Sequence, residues 1–230
     1  MKQLNTKAIV LSRTVYGESD RIINVLTPDQ GKLTLMTRGV RKVKSRLAGG
    51  IELFSINDIS YIKGRGEIGT LISARLDKHF IKILSDINRV QIGYELIKLT
   101  NKTTEDHPEA EYFYLLEETF TALNNLDIES ELIRYWFEAR LIKLAGHEPN
   151  LIYDYDNEKL DEISRYNFDI NNMYFNKSNS GRYREKDIKA MRLIYGDYKL
   201  DNLTVVEDLT KQLDNLKQLL SSINSTYLNI

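Results

Sequence analysis

Apolar and polar side chains alternate along the first eighty residues, in short segments separated by turn-forming residues. A period of two is typical of β-strands, and Pro28-Asp29-Gln30-Gly31 is typical of a hairpin turn. Because five such segments follow one another without a long helical pattern, we predict a small β-barrel of the OB-fold type. The predicted strands are Thr6–Thr14, Arg21–Thr27, Lys32–Arg38, Ile51–Lys63 and Glu67–Leu76.

Beyond residue 80, apolar positions recur every three or four residues, a spacing that predicts helices. The first helix is marked by Ile83, Ile87, Val90, Tyr94 and Ile97, with Ser85 as its candidate N-cap. Later stripes are Phe113, Leu116, Phe120 and Leu123 after Pro108, then Leu132, Ile133, Trp136, Phe137, Ala139, Leu141 and Leu144 before Gly146. The last candidates are Lys186–Tyr195 and Glu207–Ser222, and the leucine stripe of the latter (209, 213, 216, 220) is expected to pack on the bundle.

These patterns together predict an α+β chain, a β-barrel followed by an all-α part. We expect an OB-fold nucleic-acid-binding domain at residues 1–79 and a helical domain at residues 80–230. An irregular insert at about 147–184 is rich in Asn, Asp and Tyr and shows no clear period.

Composition narrows the classes of protein that the chain can be. Its 230 residues contain no cysteine, which excludes disulfides, thiolate zinc sites, iron–sulfur clusters and a cysteine nucleophile. No apolar run is long enough to span a membrane. Near the N-terminus, only Ala8–Leu11 is continuously apolar, which is too short for a signal-peptide core. We therefore expect a cytoplasmic protein.

The net charge of -1 conceals an uneven distribution. Residues 1–80 carry 14 Lys and Arg against 7 Asp and Glu, whereas residues 81–230 carry 18 against 26. The positive charge is densest in residues 38–46, RGVRKVKSR, which we call the basic loop. Nucleic-acid binding is one interpretation of such a run; an ordinary solvated loop and a heparin-type or nuclear-localisation segment are the alternatives.

The sequence motifs that could indicate an enzyme do not match the patterns that catalysis or cofactor binding requires. The sequence Gly64–Gly69 fits G-x-G-x-x-G, but the residues that follow predict a strand rather than the helix that a dinucleotide site needs. A crowded acidic run, Asp154, Asp156, Glu158, Asp161 and Glu162, lacks the Gly and Glu positions of an EF-hand. The chain therefore favours a binding protein, with no metal and no cofactor expected.

The segment YGESDRIINVLTPDQGKLTLMTRGVRKVKSRLAGGIELF, residues 16–54, closely resembles the bacterial DNA repair and recombination mediator family RecO. The matching positions are Gly17–Arg21, Thr27, Gly31, Lys32, Arg38, Gly39 and Lys44–Arg46. The turn GRGEIGTL and the segment Leu144–Leu151 also look like family positions. The resemblance is strong in the first 80 residues and near 140–151, and weak in the last 75.

The resemblance implies an N-terminal OB-fold, a helical C-terminal domain, and binding of single- and double-stranded DNA with annealing of complementary strands. It further implies RecR and single-stranded-DNA-binding protein as partners, an indirect role in loading RecA, and nucleoid association. Many family members carry a four-cysteine zinc module after the helix that ends in G-x-x-P. Here the corresponding segment, Tyr153–Gly181, has no cysteine, so its tyrosines 153, 155, 166, 174 and 183 are expected to hold it together.

On this reading, cations of the barrel contact DNA phosphates, which gives affinity without sequence preference. The first choices are Arg38, Arg41, Lys42, Lys44 and Arg46, with Lys32, Arg13, Arg21 and Arg65 as flanking candidates. Either Tyr61 or Tyr16 is a candidate for stacking on a base, unless it packs inside the barrel. Two other classes remain open: an RNA-binding OB protein, and a metal-dependent nucleic-acid enzyme that uses the cluster near Asp154.

Overall fold

The computed structural model describes residues 3–43, 45, 47, 49, 51–64, 66–104 and 109–228. Its N-terminal part is a closed five-stranded barrel. The strands are β1 (Gln3–Tyr16), β2 (Asp20–Thr27), β3 (Gly31–Thr37), β4 (Ser55–Ile62) and β5 (Ile68–His79). Their order around the barrel is β1-β2-β3-β5-β4, and β4 pairs with β1. Every pairing is antiparallel except that of β3 with β5. The predicted OB-type barrel is confirmed.

Alternation explains why these segments form a barrel, because every second side chain points inward. The interior is filled by aliphatic residues from all five strands and by Tyr61, and two residues of the β3–β4 connection, Val40 and Ile51, complete it. The strand members of this core are Ala8, Val10, Ile23, Val25, Leu35, Ile59, Tyr61 and Leu71. The G-x-G-x-x-G segment begins after β4 and its last two residues open β5, so it connects two antiparallel strands, as the sequence predicts for a hairpin rather than a nucleotide site.

A short 3-10 helix (Ile81–Ser85) and two helices follow the barrel, α1 (Ile87–Thr103) and α2 (Ala110–Asn124). The predicted cap of the first helix is wrong. Its N-cap is Asp86, whose carboxylate accepts from the backbone N–H groups of Asn88 at 2.8 Å and Arg89 at 3.1 Å. Ser85 instead donates to the carbonyl of Lys82. Pro108 lies outside the described residues.

The predicted apolar stripe of the first helix is correct only in part. Ile83 and Ile97 are buried as predicted, but Ile87 and Tyr94 are exposed. The buried face of α1 carries Arg89, Ile92, Gly93, Leu96, Ile97, Leu99 and Thr100. In α2 the predicted stripe is confirmed, since Phe113, Leu116, Phe120 and Leu123 are all buried.

The chain divides into two compact units, residues 1–126 and 127–230. The first unit contains the barrel together with α1 and α2. Strand β5 ends at His79, the residue at which we place the boundary of the OB domain; that domain division stays a prediction.

The second unit is mainly helical. Its helices are α3 (Ser130–Leu144), α4 (Glu185–Tyr195), α5 (Leu200–Thr204), α6 (Leu209–Asn215) and α7 (Lys217–Tyr227). The predicted last helix is two helices that meet at Leu216, although its leucine stripe is buried as expected. Within the described ranges, no helix combines the length and apolarity needed to cross a membrane.

The irregular insert contains a hairpin that the sequence does not predict, β6 (Tyr166–Asp169) and β7 (Tyr174–Lys177). Phe175 lies at the centre of its core, with ring centroids at 6.2 Å from Tyr166, 4.9 Å from Phe168 and 5.8 Å from Tyr183. Of the five tyrosines expected to hold the insert, Tyr166 is buried and Tyr183 joins this cluster, while Tyr153 and Tyr155 are exposed. The fifth, Tyr174, is half-buried, and its ring centroid lies 5.4 Å from that of Tyr155.

Candidate nucleic-acid interface

Two connections lie side by side at one end of the barrel. One is the β1–β2 turn, Gly17–Ser19, and the other is the basic loop, which begins directly after β3. Strand register brings them together, because Tyr16 pairs with Asp20 and Arg21 pairs with Thr37. In OB-folds, connections at a barrel end are common positions for oligonucleotide binding.

Hydrogen bonds tie the two connections together. The Asp20 carboxylate accepts from the backbone N–H of Gly39 at 2.7 Å and from the Ser19 hydroxyl at 3.1 Å. The backbone N–H of Arg41 donates to the Ser19 carbonyl at 2.9 Å, and its guanidinium donates to the Glu18 carbonyl at 3.1 Å. The start of the basic loop is therefore held in place by the β1–β2 turn.

The electrostatic setting of Asp20 matches this geometry. The hydrogen bond from Gly39 lowers the pKa of the Asp20 carboxyl, with smaller contributions from Ser19 and from the positive charges of Arg38 and Lys42. The carboxylate is therefore ionised at neutral pH, and it is the charged form that accepts the hydrogen bond from the Gly39 backbone N–H.

A buried side chain anchors the basic loop from inside. Val40 is part of the barrel core, and Gly39 before it adopts a left-handed backbone conformation with φ of 65°. A turn then follows, closed by the N–H of Lys42 donating to the Gly39 carbonyl at 3.1 Å. Arg38, Arg41 and Lys42 are consequently exposed around an inward-pointing valine.

The other predicted cations lie in different surroundings. Arg13 forms an ion pair with Glu52 at 2.7 Å, and Arg21 is half-buried on β2. The Lys32 ammonium donates to the carbonyls of Asn101 at 2.8 Å and Thr104 at 3.0 Å, at the C-terminal end of α1. Lys44, Arg46 and Arg65 lie outside the described residues.

The two tyrosines proposed for stacking are placed very differently. Tyr61 is 1% exposed in the barrel core, where no base can reach its ring, so it packs. Tyr16 is 54% exposed at the end of β1, directly before the turn that contacts the basic loop. Tyr16 is therefore the aromatic residue that is available beside the cations.

Reasoning from positive charge misses Asp20 and Val40, because neither is basic. One feature of the sequence could have identified Asp20. It is the first residue of β2, and Gly39 comes shortly after β3, the strand that pairs with β2. When an aspartate lies at the end of one strand and a glycine lies just past the end of the neighbouring strand, the carboxylate can accept a hydrogen bond from the glycine backbone N–H.

The acidic run of the insert organises turns. Asp154 accepts from the backbone N–H of Glu158 at 2.8 Å, and Asp161 accepts from Ile163, Ser164 and the Lys177 ammonium. These hydrogen bonds lower the pKa of the Asp161 carboxyl, and those from Ser164 have the largest effect. Over the part of the chain that the structure describes, no three His, Cys, Asp or Glu side chains are grouped to hold a metal ion.

The residues of this segment do not fit a four-thiolate zinc site, because the donors are missing. The region around Asp154 and Asn157, where a first cysteine pair is expected from the resemblance, is a turn in which the Asn157 N–H donates to the Asp154 carbonyl at 3.1 Å. An aromatic core centred on Phe175 stabilises the segment instead.

Comparison with known proteins agrees with this architecture. The family model for the N-terminal part of recombination protein O matches residues 1–80, and that for its C-terminal part matches residues 84–230. The chain belongs to the RecO family.

Curated relatives carry the same family name. The DNA repair protein RecO of Dehalococcoides mccartyi is 32% identical over 147 residues, which are 64% of this chain and 57% of the relative. That of Halalkalibacterium halodurans is 33% identical over 146 residues, 63% and 57% of the two chains. That of Listeria innocua is 30% identical over 207 residues, 86% and 78%. The match thus spans 57% of the length of the first two relatives.

Proposed function

We propose that this protein is a DNA repair and recombination mediator without catalytic activity of its own. It binds single- and double-stranded DNA and anneals complementary strands. With RecR, it helps to load RecA onto DNA coated by single-stranded-DNA-binding protein. The observation that carries the proposal is the exposed cationic loop held at the end of an OB-type barrel, in a chain of the RecO family.

The basic loop supplies the contacts to phosphate. Arg38, Arg41 and Lys42 are exposed, and within the described residues neither Arg38 nor Lys42 forms an ion pair, so their charge is available to a polyanion. Arginine suits phosphate oxygens because its planar fork donates two hydrogen bonds. The predicted contacts Lys44 and Arg46 extend the same loop in sequence. Arg13 and Lys32 already have protein partners, and we assign them secondary roles.

Annealing follows from charge neutralisation. Two complementary strands repel each other through their phosphates, and a protein that screens both backbones lets the bases meet. Such a mechanism needs no nucleophile, no general base and no nucleotide cofactor.

The test is annealing of two labelled complementary DNA strands, followed by energy transfer, without nucleotide or metal. The wild type is compared with the triple reversal Arg38→Glu, Arg41→Glu and Lys42→Glu. A matched control reverses Lys82, Lys98 and Lys102, three exposed lysines of the same compact unit. We expect the loop variant to lose annealing. The salt dependence of single-strand affinity should fall by about 2 in log–log slope, at 0.7 per contact.

The control should anneal like the wild type. A folded loop variant that anneals normally contradicts the proposal. A wild type that binds RNA oligonucleotides in clear preference to DNA instead supports the RNA-binding alternative. Cleavage that needs a divalent ion and is lost in Asp154→Asn supports the enzyme alternative.

A further inference from the structure

The second compact unit carries a basic face of its own, although residues 81–230 have a net charge of -8. Between residues 165 and 192 the chain has seven Lys and Arg against three Asp and Glu. These residues flank or end the hairpin of the insert, precede α4, or lie along α4 itself. The acidic average of the unit therefore conceals a local surface of the opposite sign.

Backbone pairing places three of these arginines on one face. Tyr166 and Tyr183 exchange two backbone hydrogen bonds, each 2.9 Å long, so the 182–184 segment lies antiparallel to β6. This register puts Arg165 opposite Arg184 and Asn167 opposite Arg182. In agreement, the N–H of Arg182 donates to the Asn167 side chain at 3.3 Å.

The two faces of this small sheet differ sharply. Because side chains alternate, Tyr166 and Tyr183 point to one face, where they pack on Phe175. By the same alternation, the side chains of their neighbours Arg165, Arg182 and Arg184 leave the backbone on the other face, and all three are exposed. The Arg182 guanidinium reaches the Gln218 side chain at 3.0 Å and lies 5.8 Å from the centre of the Tyr183 ring. Like charges directly opposite each other across a strand pair destabilise a sheet. Arg165 and Arg184 are such a pair by backbone register, and a bound anion would offset the repulsion of their charges.

A surface pocket of about 470 Å³ opens beside this pair. Arg165, Arg184, Lys186 and Ser164 contribute to its lining, together with Glu162 and Glu185. Both glutamates face Lys189, which ion-pairs with Glu185 and lies 4.0 Å from Glu162. Among the described residues, neither Arg165, Arg184 nor Lys186 has a carboxylate partner within ion-pair distance. The pocket therefore has three cations without an ion-pair partner, of which Arg165 donates a hydrogen bond to the Gly181 carbonyl at 3.3 Å.

We propose that this face, formed by Arg165, Arg182, Arg184 and Lys186, is a second binding surface for the phosphate backbone of DNA. Guanidinium, ammonium, amide and hydroxyl groups are the side chains that contact phosphate and sugar. Ile163 is the one apolar residue among the described residues that line the pocket, whereas protein partners are usually anchored by a buried apolar or aromatic cluster. The chemistry of this face favours nucleic acid over an acidic peptide.

The second surface extends the proposed function. It rests on that function in one respect, the choice of DNA as the ligand. With one cationic surface in each compact unit, a single chain has two surfaces that hold DNA backbones. Two such surfaces would let one molecule hold both strands and bring them together for annealing. The basic loop and the arginine face (Arg165, Arg182, Arg184 and Lys186) would each take one strand.

A two-strand capture experiment tests this directly. The protein is bound to an immobilised oligothymidylate, and retention of a second, labelled oligothymidylate is measured; the two strands cannot pair. The variant is Arg165→Gln, Arg182→Gln and Arg184→Gln. Its control is Lys199→Gln, Lys211→Gln and Lys217→Gln, which removes three exposed positive charges from the same unit. We expect the arginine variant to retain about tenfold less second strand and the control to retain nearly all of it.

The outcomes separate this inference from the proposed function. Equal retention by the arginine variant and the control overturns the second surface, while capture of the first strand still supports the basic loop. A wild type that captures no first strand contradicts both. If the triple variant does not fold, the single variants Arg184→Gln and Lys186→Gln replace it. Unchanged second-strand capture in both of these singles overturns the inference.

Discussion

The carboxylate of Asp20 accepts the backbone N–H of Gly39 at 2.7 Å, so an acidic side chain holds the turn that presents the basic loop. Two effects on DNA binding then oppose each other. The negative charge repels phosphate, whereas the hydrogen bond fixes the loop in which Arg38 and Arg41 are presented. Whether replacement of Asp20 weakens or strengthens DNA binding shows which of the two effects is larger.

We expect Asp20→Ala to weaken single-stranded DNA binding by about fivefold, although it makes the interface more positive. The physical reason is that Gly39 loses its acceptor and the loop loses its fixed geometry. Glu18→Ala is the matched control, since it removes the same charge from the same turn and leaves the Asp20–Gly39 bond intact. Fluorescence anisotropy at fixed salt measures both. Tighter binding by Asp20→Ala would show that Asp20 acts only through its charge.

The same contact predicts a pH dependence. The hydrogen bond from Gly39 lowers the pKa of Asp20 in the folded protein, whereas an unperturbed Asp has a pKa of about 3.9. A lowered pKa stabilises the fold above the unfolded value and loses this contribution as the pH falls through the folded value. The stability difference between the wild type and Asp20→Asn should thus be constant from about pH 8 to 5 and shrink below about pH 4. Urea unfolding across this range is the measurement, and a difference that already declines near neutral pH contradicts the assignment.

Tyr16 should contribute to single-strand binding through its ring. Stacking of a base on an aromatic side chain is typically worth about 1–3 kcal/mol, so Tyr16→Ala should weaken binding by about tenfold. Tyr16→Phe keeps the ring and should bind within about twofold of the wild type. Duplex DNA, whose bases are already stacked, should be affected much less by either change. Equal losses on single-stranded and duplex DNA would argue against stacking.

The barrel could be predicted from sequence because its strands alternate cleanly and their turns carry Gly and Pro. The buried face of helix α1 could be predicted only in part, and Arg89 is one reason. Its guanidinium is buried and donates to the carbonyls of Leu123, Asn125 and Leu126, in the last turn of α2 and directly after it. A charged residue thus occupies a core-facing position, which a search for apolar residues alone does not find.

The candidate site could be predicted only in part for a related reason. Charge density identified the basic loop, but charge alone cannot distinguish an exposed cation from one that binds a carbonyl group. Lys32 is the example, since its ammonium contacts two carbonyls at the end of α1. The hairpin of the insert was missed because its strands have four residues each, too short for a period to emerge.

Lys32 should therefore matter more for stability than for DNA binding. We expect Lys32→Met to lower the free energy of unfolding by about 1 kcal/mol, because the last carbonyls of α1 lose a cationic donor. DNA affinity should stay within about twofold of the wild type. Lys63→Met, at an exposed lysine, is the control for loss of one charge. If Lys32→Met instead weakens DNA binding as much as Lys42→Met, with an unchanged urea midpoint, Lys32 belongs to the interface.

At Gly93, the addition of a single methyl group should destabilise the fold. A Cβ at Gly93 would lie 2.5 Å from a ring carbon of Phe54, a buried residue held at a left-handed φ of 55°. Edge-to-face contacts with Tyr94 at 5.4 Å and Phe120 at 5.6 Å leave that ring little room to move. Overpacking of this kind costs about 1–3 kcal/mol, which exceeds the gain of about 1 kcal/mol expected for Ala over Gly in a helix.

Gly93→Ala should thus destabilise the protein by about 1–2 kcal/mol in urea unfolding. Gly66→Ala, where an added Cβ has no atom within 4 Å, should change stability by less than about 0.5 kcal/mol. A double-mutant cycle with Phe54→Leu identifies the cause, because the smaller side chain should remove most of the penalty at residue 93. Strict additivity of the two changes would show that the ring is not what excludes the methyl group.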